Sequence, residues 1–389
     1  MIVTPLASHS PAAVRDALGA HGWEPALAAD TALGVAPAAF HIAGLDDAAA
    51  ETLVRYGGRL GLEVITGDGW AVVAGSRSRL SAFARPWGGP PELAEAATKV
   101  GLAMPAELPR HWRTAGPTVM LDRPVIAGIL NITPDSFSDG GRFLEADAAL
   151  RRAERLLEDG ASMLDVGGES TRPGADPVPA AAERSRVVPV IAGLAKRFPE
   201  VPLSVDTLKS EVARAALDAG AAIINDVSGL RLDPAMASLA AERGAGLILM
   251  HSRGTFGELA SYTHAAYPAG VVAEVIAELR GSLQAARDAG VSDEQVVLDP
   301  GFGFSKTVEQ NILLLDQLAA LAALGRPLLA GPSRKRFLGT VTGLEAGERD
   351  GITAVACALA WERGARVFRV HEPAPARAAL ALAEALGGP

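Results

Sequence analysis

Eight short apolar runs, each ending in polar or charged groups, alternate with helical stretches across residues 124–386. The first, Val125 to Ile132, is followed by a loop dense in Asn131, Thr133, Asp135, Ser136, Ser138 and Asp139 with two glycines. The others are Met163-Leu-Asp-Val-Gly-Gly-Glu-Ser-Thr-Arg-Pro-Gly174, Leu203-Ser-Val-Asp-Thr207, Ile223-Ile-Asn-Asp-Val227, Leu247-Ile-Leu-Met-His251, Val296-Val-Leu-Asp-Pro-Gly301, Leu328-Leu-Ala-Gly-Pro-Ser-Arg-Lys335 and Val367-Phe-Arg-Val-His371. Between them, apolar residues recur at helical spacing near 145–159, 181–197, 208–219, 233–243, 268–289, 306–324, 348–363 and 374–386. Strand–helix alternation demands parallel strands joined by right-handed crossovers. Eight such units fit a (β/α)8 TIM barrel, about 250 residues in its usual size. A doubly wound open sheet is the alternative. It has no need of polar groups at every strand end, whereas a barrel gathers all eight ends at one mouth.

The start of the chain has a different rhythm. His41 to Leu45, Asp46 to Gly58, Leu62 to Thr66, Ala71 to Ala74 and Arg77 to Ala84 read as strand, helix, strand, strand, helix. The expected organisation is a small α+β module over 1–102, a proline- and charge-rich linker over 103–122, and the barrel over 123–389. The module carries no catalytic motif, and its expected role is packing, assembly or regulation. Within the barrel, Asp206-Thr207 and Asp233-Pro234 look like helix starts, and Gly160, Gly220, Gly244 and Gly290 like helix exits.

A net charge of -9 excludes the basic face that nucleic acid requires. No apolar run approaches the ~20 residues of a spanning helix, and the first ten residues lack a charged, then apolar, leader pattern. The one cysteine, Cys357, sits in an apolar helical stretch and reads as a small buried hydrophobe. The expected setting is soluble and cytoplasmic, with small-molecule partners and neither nucleic acid nor membrane.

Barrel enzymes place their chemistry at the C-terminal ends of the strands. Asp206, Asn225 and Asp299 end strands three, four and six. Taken singly, each is as readily a cap or turn former. Together on one mouth, two carboxylates and an amide suit the donor-rich edge of a flat heterocycle such as a pterin or guanine. Lys335, beyond strand seven, can approach the same ring as a charged donor, and Ser333 with the following helix N-terminus suits a carboxylate or phosphate. Arg369 and His371 alternate with Phe368 and Val370, so both face one side and form an anion pocket. Asn131 could hold a Mg²⁺–phosphate assembly through its amide oxygen, since Mg²⁺ takes few protein oxygens beside water and phosphate. His251 ends strand five and is left open between site and structure. His9, His21, His41, His111 and His264 lack metal-ligand spacing. Gly301-Phe-Gly-Phe304 lacks the third glycine of a dinucleotide fingerprint.

Two longer motifs complete the pattern: Leu130-Asn-Ile-Thr-Pro-Asp-Ser-Phe-Ser-Asp-Gly-Gly141 and Asp165-Val-Gly-Gly-Glu-Ser-Thr-Arg-Pro-Gly174. With Ser204-Val-Asp-Thr207, Ile224-Asn-Asp226, Leu298-Asp-Pro-Gly-Phe-Gly303, Ser333-Arg-Lys335 and Arg369-Val-His371, the barrel resembles the dihydropteroate synthase family throughout 124–386. The resemblance implies condensation of 6-hydroxymethyl-7,8-dihydropterin diphosphate with para-aminobenzoate, releasing diphosphate with Mg²⁺. It implies a pterin site of Asp206, Asn225, Asp299 and Lys335 walled by Met250 and Phe304. It implies a diphosphate site of Asn131, Thr171, Arg369 and His371, with Asn131 on the metal. Phe137, Thr171, Arg172, Pro173 and Ser333 would line the para-aminobenzoate pocket, which is also the sulfonamide site, and Asp135 would order the first loop. The catalytic set would be Asp206, Lys335, Arg369 and Asn131, in a homodimer. Two features depart from the family: Ser252-Arg-Gly-Thr255 after His251, where a Met is usual, and the first 115 or so residues, which the minimal enzyme lacks. A methyltetrahydrofolate–corrinoid methyltransferase shares the barrel and pterin acids but needs no diphosphate pocket. A non-catalytic pterin-binding relative is the other alternative.

Overall fold

The computed structural model describes Glu24 and residues 37–85, 89–104, 108–132, 142–170 and 177–386, giving the backbone alone for 102–103 and 142–146. The chain forms two compact units, divided between Ala106 and Glu107.

In the first unit β1 (Pro37–Ala43), β2 (Glu63–Gly67) and β3 (Trp70–Ser76) make an antiparallel sheet in the order β1-β3-β2. The helices are α1 (Asp47–Arg59), α2 (Arg77–Phe83) and α3 (Ala94–Ala103). Asp46 caps α1 by accepting from the Ala49 amide at 2.7 Å, which satisfies a donor the helix cannot. Leu53, Val73, Leu80, Phe83 and Leu93 form the core of this unit. The expected strand and helix order is present, with α3 added where only the approach to a linker was foreseen.

The second unit begins with β4 (His111–Trp112) and β5 (Val119–Met120), an antiparallel pair. The stretch expected as a linker over 103–122 therefore contains ordered structure. Trp112 is fully buried and donates its indole N–H to the Gln295 carbonyl at 2.7 Å, while Arg113 and Ala115 donate to the carbonyls of Glu294 and Ala222. An apolar indole with one polar edge stays buried only if that edge finds an acceptor. This segment is the floor of the barrel.

Eight parallel strands close into that barrel: β6 (Val125–Asn131), β7 (Met163–Gly167), β8 (Leu203–Asp206), β9 (Ile223–Asp226), β10 (Gly246–Met250), β11 (Val296–Asp299), β12 (Leu328–Ala330) and β13 (Ala365–Val370). Around them run α4 (Arg142–Glu158), α5 (Ala180–Arg197), α6 (Ser210–Asp218), α7 (Ala235–Arg243), α8 (Val271–Asp288), α9 (Val308–Asp316), α10 (Arg336–Thr342), α11 (Asp350–Glu362) and α12 (Pro373–Ala385). The open-sheet alternative is excluded by closure, since β9 pairs with β10 and β13 with β6.

Two apolar shells follow from the two faces of each strand. Ile126, Leu164, Val205, Ile224, Leu249, Leu298 and Phe368 pack outward among the helices. Val125, Ala127, Met163, Ile223, Ile248, Val297 and Val367 pack inward over Trp112. With a period of two, the next inward positions are Asp165, Asn225, Met250, Asp299 and Arg369. The fold thus lifts polar groups onto the top of an apolar plug.

Two local expectations change. The helix expected over 306–324 ends at Asp316 and continues as a 3₁₀ segment, Leu318–Leu324. Asp206 caps no helix, because α6 starts at Ser210 and takes its cap from elsewhere, the Ser210 amide donating to Asp233 Oδ2 at 2.7 Å. Asp233 precedes α7, as expected, and also serves this neighbour. Cys357 is buried as foreseen, and burial pushes its thiol up to about 12.

Candidate active site

Arg369 is the hub of the mouth. Its Nε donates to Asp165 Oδ2 at 2.5 Å and its Nη2 to Asp206 Oδ2 at 2.7 Å. Asn225 Nδ2 donates to the same Asp165 oxygen at 3.1 Å. Strands β7, β8, β9 and β13 are therefore tied at their upper ends by one guanidinium, two carboxylates and an amide. A buried ion pair costs about as much in desolvation as it returns, so this cluster is poor stabilisation and better suited to holding something.

Asp299 accepts the Gly301 amide at 2.7 Å. Gly301 lies at φ 72° and a Cβ there would stand 2.0 Å from the His251 carbonyl, so only glycine lets this turn lie against β10. Gly303, at φ 76°, leaves the path along which Lys335 enters, since a Cβ would meet its Cδ at 2.6 Å. The Lys335 ammonium then sits 3.9 Å from the centre of the Phe304 ring. Met250 and Phe304 share a buried cluster with Leu208, Val227 and Leu259, forming an apolar wall.

Burial decides the charges here. It raises Asp206 to about 7, with Arg369 only partly offsetting it and Asp165 adding to the rise. It raises Asp299 to about 6 against the Gly301 amide and Lys335. It lowers Lys335 to about 8, helped by Arg369. Groups poised this close to neutrality mark functional sites.

His371 lies just beyond β13. Burial and the Arg369 charge lower it to about 3, so the ring is neutral. Ser333 Oγ accepts the His371 amide at 3.1 Å and lies 2.9 Å from its Nδ1. A neutral ring that takes the hydroxyl hydrogen at Nδ1 carries its own proton on Nε2. Asn131 ends β6 opposite Gly167, and a Cβ on that glycine would meet Asn131 Oδ1 at 3.4 Å and Asp206 Cβ at 3.6 Å. No group of three His, Cys, Asp or Glu able to hold a metal occurs among the described residues. One amide oxygen fits a metal whose other ligands come from phosphate and water.

The structure thus brings together Asp206, Asn225, Asp299, Lys335, Arg369, His371, Ser333, Met250, Phe304 and Asn131 at one end of the barrel. Asp135, Phe137, Thr171, Arg172 and Pro173 lie outside the described residues. Two readings are refined. Arg369 is not a free anion receptor, since only Nη1 lacks a partner among the described residues. His251 is a strut: its Nε2 meets Glu278 at 3.0 Å and its Nδ1 meets Lys306 at 2.9 Å. Burial holds this ring at about 4, so it accepts from the lysine.

The sequence reading passed over Asp165 and Lys306. Asp165 stands two residues above the inward Met163, so strand phase alone would have placed it beside Arg369. Lys306 is fully buried and donates to the Gly301 and Phe304 carbonyls at 3.1 Å, fixing the turn that carries Asp299 and Phe304. No periodic signal marks it. The atypical Ser252-Arg-Gly-Thr255 loop is held by Arg253, which binds Glu274 at 2.7 Å and stacks on Tyr267 at 3.9 Å.

Fold and site together define a (β/α)8 enzyme whose mouth pairs acids with a cation beside an apolar wall. The family of pterin binding enzymes matches residues 127–371. The dihydropteroate synthase of Bacillus subtilis is 42% identical over 251 residues, 64% of this chain and 84% of that protein. The Xanthomonas albilineans dihydropteroate synthase solved with 4-aminobenzoic acid superposes with a TM-score of 0.67 at 44% identity, covering 72% of this chain and 99% of that one. The same organism's enzyme in complex with 7,8-dihydropteroate gives 0.63 at 39% identity, covering 72% and 100%. The chain belongs to the pterin binding enzymes, in their dihydropteroate synthase branch.

Proposed function

We infer that the protein is a dihydropteroate synthase, a transferase joining 6-hydroxymethyl-7,8-dihydropterin diphosphate to para-aminobenzoate with release of diphosphate. The observation that carries this is the Arg369 hub with Asp206, Asn225, Asp299 and Lys335 on one mouth. In this reading Asp206 and Asp299 accept the heterocycle's N–H donors, Asn225 pairs with its edge, Lys335 donates to its carbonyl or ring nitrogen, and Met250 and Phe304 cover its faces. Arg369 Nη1, His371 Nε2–H and Thr171 receive the diphosphate. Phe137, Thr171, Arg172, Pro173 and Ser333 receive para-aminobenzoate.

The reaction breaks the methylene C–O bond, and the electron pair leaves with the diphosphate. Charge left on the pterin is stabilised by Asp206 once it is ionised, and the departing anion by Arg369 and His371. The neutral aryl amine then forms the C–N bond and loses its proton to the departing diphosphate or solvent. This is an SN1-like displacement, and it needs no strong general base. Mg²⁺ would be held by Asn131 with phosphate oxygens and would supply neutralisation of the leaving group.

The protein is proposed to act as a cytoplasmic homodimer. Val355 and Leu359 on α11 are exposed, as are Ile312 and Leu313 on α9, and apolar side chains of this kind suit contact with a second copy. Among the described residues no helix is long and apolar enough to cross a membrane.

The test is diphosphate release by the purified protein with pterin diphosphate and Mg²⁺, with and without para-aminobenzoate. Release that depends on para-aminobenzoate, with dihydropteroate formed, supports the reading. Absence of turnover together with methyl transfer from methyltetrahydrofolate would replace it.

A further inference from the structure

Asp165 has a place that the pterin and diphosphate roles above do not use. It is 1% exposed and ends no strand, yet it carries a carboxylate into the inward layer of β7. One of its oxygens, Oδ2, takes both the Arg369 Nε and the Asn225 Nδ2 hydrogens, at 2.5 and 3.1 Å. The other, Oδ1, is buried with no hydrogen-bond partner among the described residues. An unpaired acceptor at that depth costs about 1–3 kcal/mol, so the residue is not there for stability.

What the carboxylate does is orient. An Asn amide has two ends that differ only in hydrogen bonding, and among the described residues the Asn225 side chain makes this one bond. An acceptor-only partner forces Nδ2 toward β7. It thereby leaves Oδ1 and the second Nδ2 hydrogen as an adjacent acceptor and donor. The same oxygen fixes the Arg369 plane through Nε, which turns Nη2 onto Asp206. One atom thus sets the polarity of the amide in the heterocycle subsite and the plane of the guanidinium in the anion subsite.

We infer that Asp165 is a positioning residue for the pterin diphosphate, setting the Asn225 amide and the Arg369 guanidinium together, and that it takes no part in the para-aminobenzoate subsite. This rests on the proposed synthase activity, and the two fail separately. A wild-type protein without turnover sinks the activity; a wild-type protein that turns over beside an unaltered Asp165 variant sinks this inference.

The variant is Asp165→Asn, which keeps shape and loses the acceptor-only character. Orienting partners one shell from a ligand typically contribute about 10–100-fold, so kcat/KM for the pterin diphosphate falls by that order. KM for para-aminobenzoate stays within about twofold, because uniform binding of that substrate is untouched. A merely structural defect would not separate the two substrates. The acid limb of kcat/KM also moves to lower pH. Arg369 on β13, Asp165 on β7, Glu183 on α5 and Lys335 at the start of α10 face Asp206, and the Asp165 charge is one of those that raise it. Should Asp165→Asn not fold, the exchanged pair Asp165→Asn with Asn225→Asp keeps the net charge and one amide–carboxylate bond. Calorimetry with 6-hydroxymethylpterin as probe then shows at least a tenfold loss of affinity, on the same principle. Either variant binding or turning over the pterin as the wild type does, or losing both substrates equally, overturns the inference.

Discussion

Replacing Arg369 with alanine tests the electrostatics of the mouth most severely. The side chain holds two carboxylates, Asp165 at 1% and Asp206 at 16% exposure, through bonds of 2.5 and 2.7 Å. Removing one partner of a buried pair costs about 3–5 kcal/mol, because the remaining charge is left without compensation. A carboxylate escapes that cost by binding a proton. Asp206 already stands near 7 with the guanidinium beside it, and stands higher without it. A carboxylate raised in the folded state contributes stability at low pH that is lost as pH rises from the unfolded value to the folded one. Below 7 Asp206 is protonated in both proteins, so its contribution to their difference is smallest there. Above 7 the wild type releases the proton into its ion pair and the variant retains it. The stability difference then widens by about 1.4 kcal/mol per pH unit until the variant's own pKa is passed. Urea unfolding of both proteins at about pH 6, 7.5 and 9 measures this. A difference that stays constant over that range refutes the argument. In the same variant kcat/KM falls by about 10²–10³, the effect of removing one charge-stabilising donor; unchanged turnover and unchanged KM for the pterin diphosphate would show that Arg369 is not part of the anion site.

Asp206→Asn is expected to weaken pterin binding by about 1.5–3 kcal/mol, the range for a hydrogen bond to a charged group, which calorimetry reads; wild-type affinity would remove Asp206 from the pterin site. For the wild type, kcat/KM for the pterin diphosphate should rise through an acid limb between about 6 and 7, as Asp299 and Asp206 ionise, and fall through a basic limb near 8, as Lys335 loses its proton. A flat profile from pH 5 to 9 contradicts those ionisations. Trp112→Ala should lower stability by about 3–5 kcal/mol through the cavity it leaves, while kcat of the folded fraction is retained, because the floor lies at the end of the barrel away from the chemistry. Loss of kcat without loss of stability would contradict that division.

The barrel was legible because its period is regular. Runs such as Leu247 to Met250, buried on both faces, could only be strands of a covered parallel sheet. The strand-end charges were legible for the same reason: Asp299 closes an apolar run and Arg369 alternates within one. What escaped depends on contacts distant in sequence. Trp112 reads as one aromatic in a proline-rich stretch until the Gln295 carbonyl, far along the chain, accepts its N–H. Asp206 looks like a cap until β13 supplies Arg369. Lys306 looks like a solvated cation until three acceptors close round it: His251 Nδ1 and the Gly301 and Phe304 carbonyls. Asp165 was within reach of strand phase and was hidden by its place in a longer motif.

The account stands most directly on where the pterin ring lies, and a crystal structure of the protein with pterin diphosphate and Mg²⁺ measures that. It predicts the ring between Met250 and Phe304, its donors on Asp206 and Asp299, Asn225 and Lys335 on its edge, and the diphosphate against Arg369 and His371. A pterin bound outside that mouth, or bound there with Arg369 still facing only its two carboxylates, would contradict it.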